Sequence, residues 1–405
     1  MLSHLPRVRP NLHSFDPRPF AARVIIFTAL AFLVACGVSV PTTNMGGNSG
    51  QQINPSTPIQ VALLVPGGST ADEATLIATS LEKAARMAID DLNGVEVNLR
   101  VYNTARDPAL ASQLAATAVA EGAQIILGPL DAASANEVGL TAANANVNVL
   151  AFSNNTAIAG GNVFVLGNTF GNISDRLVNY ASRQGITRFM IVHQDDLAGA
   201  VGRDSISNSI RAAGGTVSGV ETYPFNQTGI FARASAIAAA IKESGAQAIF
   251  VTDNVVGGLP ILATSLADQG ISPSDTPLIG ITRWDAAPQV SALPAMQGGI
   301  FAMSDAGRET AFRERYIMTN GTAPHPLASI AYDGVAAIGA LGATGNRDAL
   351  TAASLTRASG FAGATGIFRL RTDGSNQRAL AVARIINNQI TIVEPAPLSF
   401  GRGGS

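Results

Sequence analysis

The sequence predicts an α/β fold of two lobes, each a parallel sheet covered by helices on both faces. Three observations carry that prediction. Short apolar runs alternate with stretches of helical periodicity, the order that yields parallel strands joined by crossover helices. The pattern runs to about residue 155 and then restarts. Roughly 370 residues follow the apolar N-terminal segment, more than one hydrophobic core usually holds.

The elements follow in order. "IQVALLVPG" from Ile59 is an apolar run closed by Pro66-Gly67-Gly68, a buried strand with its turn. "ATLIATSLEKAARMAIDDLNG" places Leu76, Leu81, Ala84, Ala85 and Ala88 at helical spacing, with Gly94 as its stop. "VEVNLRVYNT" alternates as a strand does. Asp107 and Pro108 are a cap and first-turn pair for a helix through Ala123. "QIILGPL" is a strand, "SANEVGLTAANANV" a helix and "NVLAFSNN" a strand. After "NVFVLGNT" the series begins again with helix "ISDRLVNYASRQGI", strand "RFMIVHQDD", helix "GRDSISNSIRAAGG" and strand "TVSGVETYPF". Helix "IFARASAIAAAIKESGA", strand "QAIFVTDN", helix "GGLPILATSLADQGI" and strand "TPLIGITRWD" complete it. The second half repeats the layout of the first without repeating its sequence. In such sheets ligands sit beyond the carboxyl ends of the strands.

The N-terminus reads as an export signal. Arg7, Arg9, Arg18 and Arg23 stand against one acid, Asp16, before the uncharged run "VIIFTALAFLVA" from Val24 to Ala35. The run is short of the ~20 residues that span a bilayer and has the form of a signal-peptide core. Leu33-Val34-Ala35-Cys36 resembles the bacterial lipobox, in which the cysteine becomes the first residue and carries acyl chains. Cys36 is the only cysteine, which excludes an intrachain disulfide and a cysteine-based metal site. As an attachment point for two or more chains it gives stable anchoring. The expected organisation is a lipoprotein signal peptide at 1–35 and a flexible tether at 36–57. The tether, rich in Gly, Ser, Asn, Thr and Pro, buries too little to offset its ordering entropy. Gly37 follows the cysteine where an inner-membrane retention signal has Asp, which by resemblance to lipoprotein sorting favours the outer membrane.

Composition and inventory narrow the function. Charged residues are 13% of the chain, the formal net charge is −2, and no Lys/Arg run occurs, which argues against a nucleic-acid partner. His193 and His325 are the only histidines beyond the signal. "HQDD" offers His and Asp together, but adjacent residues at a strand end point apart. No Gly-x-Ser-x-Gly elbow follows a strand, and no His-Glu-x-x-His, phosphate loop or Gly-x-Gly-x-x-Gly is present. A non-catalytic protein with no cofactor or metal is expected.

"ILGPLDAASANEV" followed by "NVLAFSNNTAIAG" resembles the paired cleft motifs of type I periplasmic binding proteins, the leucine/isoleucine/valine-binding superfamily. "IVHQDDLAGAVGRDSISNSIRAAGGTV" resembles its entry into the second lobe, "IAYDGVAAIGAL" its late first-lobe helix and "GFAGATGIFRLRTDGSNQRALAVARI" its closing hairpin. The likeness covers about 59–392. It implies two Rossmann-like lobes around a central cleft, with three crossover segments. The first lobe is expected at 59–168 plus 301–352, the second at 169–300 plus 353–396, and a flexible tail at 397–405. Phe152-Ser153-Asn154, the lipobox and the Gly-x-x-Gly, Asp373-Gly374, Arg378 ending together resemble the penicillin-binding protein activator lipoproteins. That resemblance implies a lipid-anchored periplasmic protein that binds and regulates a penicillin-binding protein. The alternative is the solute-binding subunit of an ABC importer, partnered by a permease, for branched-chain amino acids or a related small polar ligand.

By the same resemblance, amino-acid binders hold the ligand carboxylate with a hydroxyl and with N–H groups at helix starts, where donors are free and the dipole is positive. The hydroxyl position falls on Ala132 here, with Ser134 two residues on. The usual second-lobe tyrosine is Leu197. Leucine binding is therefore expected to be weak. The candidate cleft residues are Leu130, Asp131, Ser134, Ser153, Asn154 and Thr156 on the first lobe, and Asp196, Asp253, Trp284 and Asp285 on the second. Asp253 or Asp285 supplies the acid for the ligand amine, and Trp284 is either a cleft wall or a packing residue. Ser153 and Thr156 also suit strand-end caps, and Asp195 and Asp196 a helix cap. Arg283 either pairs with Asp285 or faces an anionic ligand.

Overall fold

Val61, Leu63 and Val65 point to one side of a buried strand, and Ala62 and Leu64 to the other. This strand, β1 (Ile59–Val65), is the second in a five-stranded sheet ordered β2-β1-β3-β4-β5. Its partners are β2 (Val97–Asn103), β3 (Ile125–Leu127), β4 (Asn148–Ala151) and β5 (Val163–Val165), all parallel. The computed structural model describes residues 49–401. The expected signal peptide and Cys36 lie outside the described residues. Among the described residues no helix is long and apolar enough to cross a membrane.

Helix α1 (Asp72–Asp90) covers one face of the first sheet, and α2 (Pro108–Ala120) and α3 (Ala132–Ala143) cover the other. In α1 the inward stripe is Ile77, Leu81, Ala84, Ala85 and Ala88, while Leu76 is exposed. Ala111, Ala115 and Ala118 of α2 and Ala135, Val138 and Ala142 of α3 keep their side chains small at the sheet. Close helix approach explains much of the alanine content.

The second sheet has seven strands in the order β15-β14-β10-β9-β8-β6-β7. Parallel β6 (Arg188–Gln194), β7 (Thr216–Tyr223), β8 (Ala248–Val251), β9 (Leu278–Gly280) and β10 (Ile300–Met303) are extended by antiparallel β14 (Ala381–Ile386) and β15 (Gln389–Glu394). Phe189 and Ile191 face helices α4 (Phe170–Arg183) and α5 (Leu197–Ala212). Met190 and Val192 face α6 (Gln227–Ser244) and α7 (Leu259–Asp268). Both faces are thus apolar, as parallel sheets require.

Two lobe boundaries differ from expectation. Residues 301–303 pair with β9 and β14 in the second sheet, because the apolar run Ile300–Met303 simply adds the next parallel strand. Helices α8 (Ala306–Asn320) and α9 (Ala328–Gly342) then pack on α1 in the first lobe. Residues 353–378 also stay with the first lobe. Helix α10 (Ala352–Leu355) leads into a small sheet, β11 (Phe361–Gly363), β12 (Gly366–Leu370) and β13 (Asn376–Arg378). Its Phe361, Phe368 and Leu370 enter the first core beside α9. Both ends of the described residues are also more ordered than composition suggests. Residues 49–57, expected in the tether, are docked on the first lobe. Ile53 is buried, its N–H donates to Arg347 O at 2.8 Å, and Ala352 N–H donates to Ser49 O at 2.8 Å. In the expected tail, the Arg369 guanidinium lies 4.8 Å from the centroid of the Phe400 ring.

The chain crosses between lobes after β5, after β10 and after β13. All three crossings meet at one buried ion pair. Arg378 Nη1 donates to Asp333 Oδ2 at 2.6 Å, and Arg378 Nε and Nη2 donate to Leu166 O on the first crossing at 2.9 and 2.6 Å. Asp333 Oδ1 accepts the Ala364 N–H at 2.7 Å, and Asp305 N–H on the second crossing donates to neighbouring Thr365 O at 3.1 Å. Asn172, in the first turn of α4, donates to Asn376 Oδ1 and accepts the Arg378 N–H at 3.3 Å.

Candidate ligand cleft

β5 and β10 each leave their sheet at the carboxyl end directly into a crossing. The carboxyl edges of both sheets therefore lie on the crossing side and face one another, the position where such sheets hold ligands.

On the first edge, Leu130 is half-buried against the core. Asp131 occupies the N-cap position of α3, but its side chain makes no cap bond. It accepts a hydrogen bond from Arg106 Nη2 at 2.6 Å instead. Ser134 is fully enclosed in the lobe and its hydroxyl has no protein partner. Ser153 is buried, and its Oγ accepts the Asn155 N–H at 3.1 Å in a local turn. Asn154 and Thr156 are exposed, and Asn155 Oδ1 caps the short turn Thr156–Ile158 through the Ala157 N–H at 2.9 Å.

On the second edge, Asp195 and Asp196 are exposed, and Asp196 Oδ1 caps α5 through the Gly199 N–H at 2.6 Å. Leu197 beside them is 81% exposed, and Val256 on the next loop is 78% exposed. The lobes are therefore not closed over this edge. Asp253 is fully buried. Its Oδ2 accepts the Tyr223 hydroxyl at 2.9 Å and its Oδ1 accepts the Asn254 N–H at 2.7 Å. A Cβ at Gly257 or Gly258 would come within 2.8 or 2.5 Å of its carboxylate oxygens, so this loop folds tightly around the acid. Burial pushes the Asp253 carboxyl up, against the pull of the Asn254 N–H and the Tyr223 hydroxyl. Burial likewise pushes Tyr223 up, helped by Asp253 and then Asp196. Asp253 is thus a loop-fastening residue, turned away from the open edge.

Trp284 is no wall. It is fully buried in the second core, 5.5 Å from Phe301 between ring centroids. It fills a slot that Gly280 and Gly299 leave open, where a Cβ would lie 2.3 and 2.7 Å from the indole. Asp285 is bound to Arg283, whose Nε donates to its Oδ1 at 2.7 Å. Arg283 Nη1 also reaches Glu309 on α8 at 2.9 Å. The Asp285 bond, offset in part by burial, holds the Arg283 guanidinium well above its ordinary range.

Sequence reasoning missed two residues here. Arg106 stands between a strand and a helix cap with no flanking motif, and Glu309 sits on a helix whose place in the fold depends on the second crossing. Among the described residues no group of three or more His, Cys, Asp or Glu is arranged to hold a metal ion.

The structure resembles several solved proteins. An ABC transporter substrate-binding protein from Desulfitobacterium hafniense in complex with Leu has a TM-score of 0.60 at 19% identity, over 83% of this chain and 100% of that one. A branched chain amino acid ABC transporter periplasmic ligand-binding protein from Burkholderia xenovorans has a TM-score of 0.62 at 19% identity, over 85% and 97%. A solute binding protein of an ABC transporter from Rhodopseudomonas palustris, in complex with 3,4-dihydroxy benzoic acid, has a TM-score of 0.56 at 16% identity, over 85% and 98%. These identities speak for the fold. No curated protein matches the chain in sequence. The sequence model of the periplasmic binding protein family matches residues 58–389, and with this two-lobed fold the chain belongs to that family, among its type I members of the leucine/isoleucine/valine-binding kind.

Proposed function

We propose that this chain is the solute-binding subunit of an ABC importer and receives a small carboxylate, an amino acid foremost, between its lobes. The observation that carries this reading is an edge of free N–H donors facing an edge of exposed carboxylates. The first carries Arg106 and the start of α3, whose N–H groups Asp131 does not cap. The second carries exposed Asp195 and Asp196. A zwitterion laid across the cleft meets N–H donors of Arg106 and the α3 start with its carboxylate, and exposed acids with its ammonium. Leucine and 3,4-dihydroxybenzoic acid, the ligands named with two of the similar structures, share a carboxylate on a largely apolar body. Leu197 and Val256 offer apolar contact beside the acids. The role is binding without catalysis, in the periplasm, with Cys36 as the lipid attachment point and a permease as partner.

This order reverses the one suggested by the sequence resemblance. The second reading, a regulator of a penicillin-binding protein held at the outer membrane, retains one specific observation, Gly37 after the lipobox cysteine. An anchor in the outer membrane is poorly placed to hand cargo to an inner-membrane permease.

Titration calorimetry on the purified protein with leucine, isoleucine, valine and 3,4-dihydroxybenzoate tests the importer reading. Dissociation constants of ~1 μM, about −8 kcal/mol, are expected for at least one of them. No heat with any of the four, together with faster glycan polymerisation by a penicillin-binding protein on adding the chain, would put the regulator first.

A further inference from the structure

We propose that Arg106 is the residue that selects a carboxylate in this cleft, presented to the ligand by Asp131. The inference rests on the solute-binding reading above and names the group that sets its specificity.

The backbone at Arg106 is the first argument. Ala105 and Arg106 have φ of 51° and 61°, adjacent left-handed conformations that side chains with a Cβ avoid and that Gly, Asn and Asp normally supply. They are the two central residues of a tight turn closed by the Asp107 N–H to Thr104 O at 2.8 Å. The turn is fastened to β1. Thr104 N–H donates to Val65 O at 2.9 Å, its hydroxyl donates to the same oxygen at 3.1 Å, and Ala105 N–H donates to Gly67 O at 2.8 Å. Gly67 permits this approach, since a Cβ there would lie 2.3 Å from Asn103 Oδ1. The turn is therefore held in a demanding shape by backbone bonds and the buried Thr104 hydroxyl, and it fixes the direction in which the Arg106 Cα–Cβ bond leaves the chain.

That direction runs along the sheet edge. Arg106 follows β2 and Asp131 follows β3, and β1 lies between them. Two strand spacings are about 10 Å, so the side chain that closes the 2.6 Å bond to Asp131 lies across the carboxyl end of β1, along the cleft side of the first lobe. Only its Nη2 is engaged. Nε and Nη1 have no partner among the described residues, and the side chain is 45% exposed. A guanidinium presents five N–H donors in a planar fork suited to a carboxylate. Asp131 uses one of them and orients the rest.

The test pairs each acid with its neutral twin: leucine with leucinamide, and 3,4-dihydroxybenzoate with 3,4-dihydroxybenzamide, titrated into wild type, Arg106→Gln and Arg106→Lys. Wild type is expected to prefer the acid. Arg106→Gln should weaken acid binding about 10- to 100-fold, the range for loss of charge-assisted hydrogen bonds, and leave the amide within about 2-fold. Arg106→Lys, which keeps the charge and loses the fork, should fall between. Urea unfolding midpoints of the three proteins check that each is folded. Equal loss for acid and amide would make Arg106 a structural residue and overturn the proposal. Acid affinity unchanged in Arg106→Gln would overturn it while leaving the solute-binding reading intact. Failure of wild type to bind either acid would overturn both.

Discussion

Asp253 illustrates how a residue that reads as a ligand group becomes part of the scaffold. An acid after a strand at a carboxyl edge is a natural partner for a ligand ammonium, but this one is enclosed by Tyr223 and by the loop through Gly258. Burial raises its pKa, so the folded state keeps the proton to a higher pH than the unfolded chain does. Stability therefore falls as pH rises from the ordinary carboxyl value of about 4 through the raised folded value, and then levels off. The Tyr223 hydroxyl favours the charged form and limits that fall. In Tyr223→Phe the carboxylate loses a donor, at a cost of about 1.5–3 kcal/mol when ionised. The destabilisation measured by urea unfolding is expected to be larger at pH 7 than at pH 4. A loss that is the same at both would mean that the hydroxyl supports packing and not the charge.

At the scale of elements, the strand-helix alternation was legible because apolar runs closed by Gly, Pro or Asp are local signals. From Ile59 to Trp284 every strand and helix assigned from periodicity and capping is present, though β5 was not assigned and the helix read from Gly202 begins at Leu197. What local signals do not carry is the choice of neighbour. The run Ile300–Met303 has the same apolar character whichever lobe it joins, and only the free edge beside β9 decides it. Phe361 and Phe368 form a pair with ring centroids 5.5 Å apart, and their assignment to the first core follows from α9 lying beneath them. The site was legible as a set of loops, and several of its side chains were not. Ser153 turned inward to a local turn, and Trp284 filled a slot between β9 and β10 that two glycines opened. Trp284, the sole tryptophan, gives that last point a direct measurement. Its emission is expected to be blue-shifted and unquenched by iodide, with no change on adding a cleft ligand. Iodide quenching relieved by ligand would return Trp284 to the cleft wall.

For the whole molecule, the way two lobes are held apart decides how a ligand closes them. The buried Arg378–Asp333 pair fixes the crossings to the first lobe, so the rotation available to the protein is of the second lobe about that junction. Beside the second crossing, one ion pair among the described residues links the lobes, Arg283 on the loop after β9 with Glu309 in the first turn of α8. Arg283 is held to the second lobe by Asp285, and α8 is held to the first through buried Tyr316. Because Leu197 and Val256 are exposed, the pair belongs to an open arrangement, and closure moves its two halves relative to one another. Both partners are more than a third exposed, so the pair contributes at most ~1 kcal/mol, about a 5-fold bias toward the open form. Glu309→Gln removes that bias. The variant is expected to bind a cleft carboxylate up to about 5-fold tighter, because more of it is already in the closing-competent state. Its radius of gyration by small-angle scattering should be smaller without ligand and unchanged with it. The difference from wild type should shrink as salt rises, since exposed pairs are screened. An unchanged ligand-free radius would show that the pair travels intact through closure, and weaker binding would show that it belongs to the closed form.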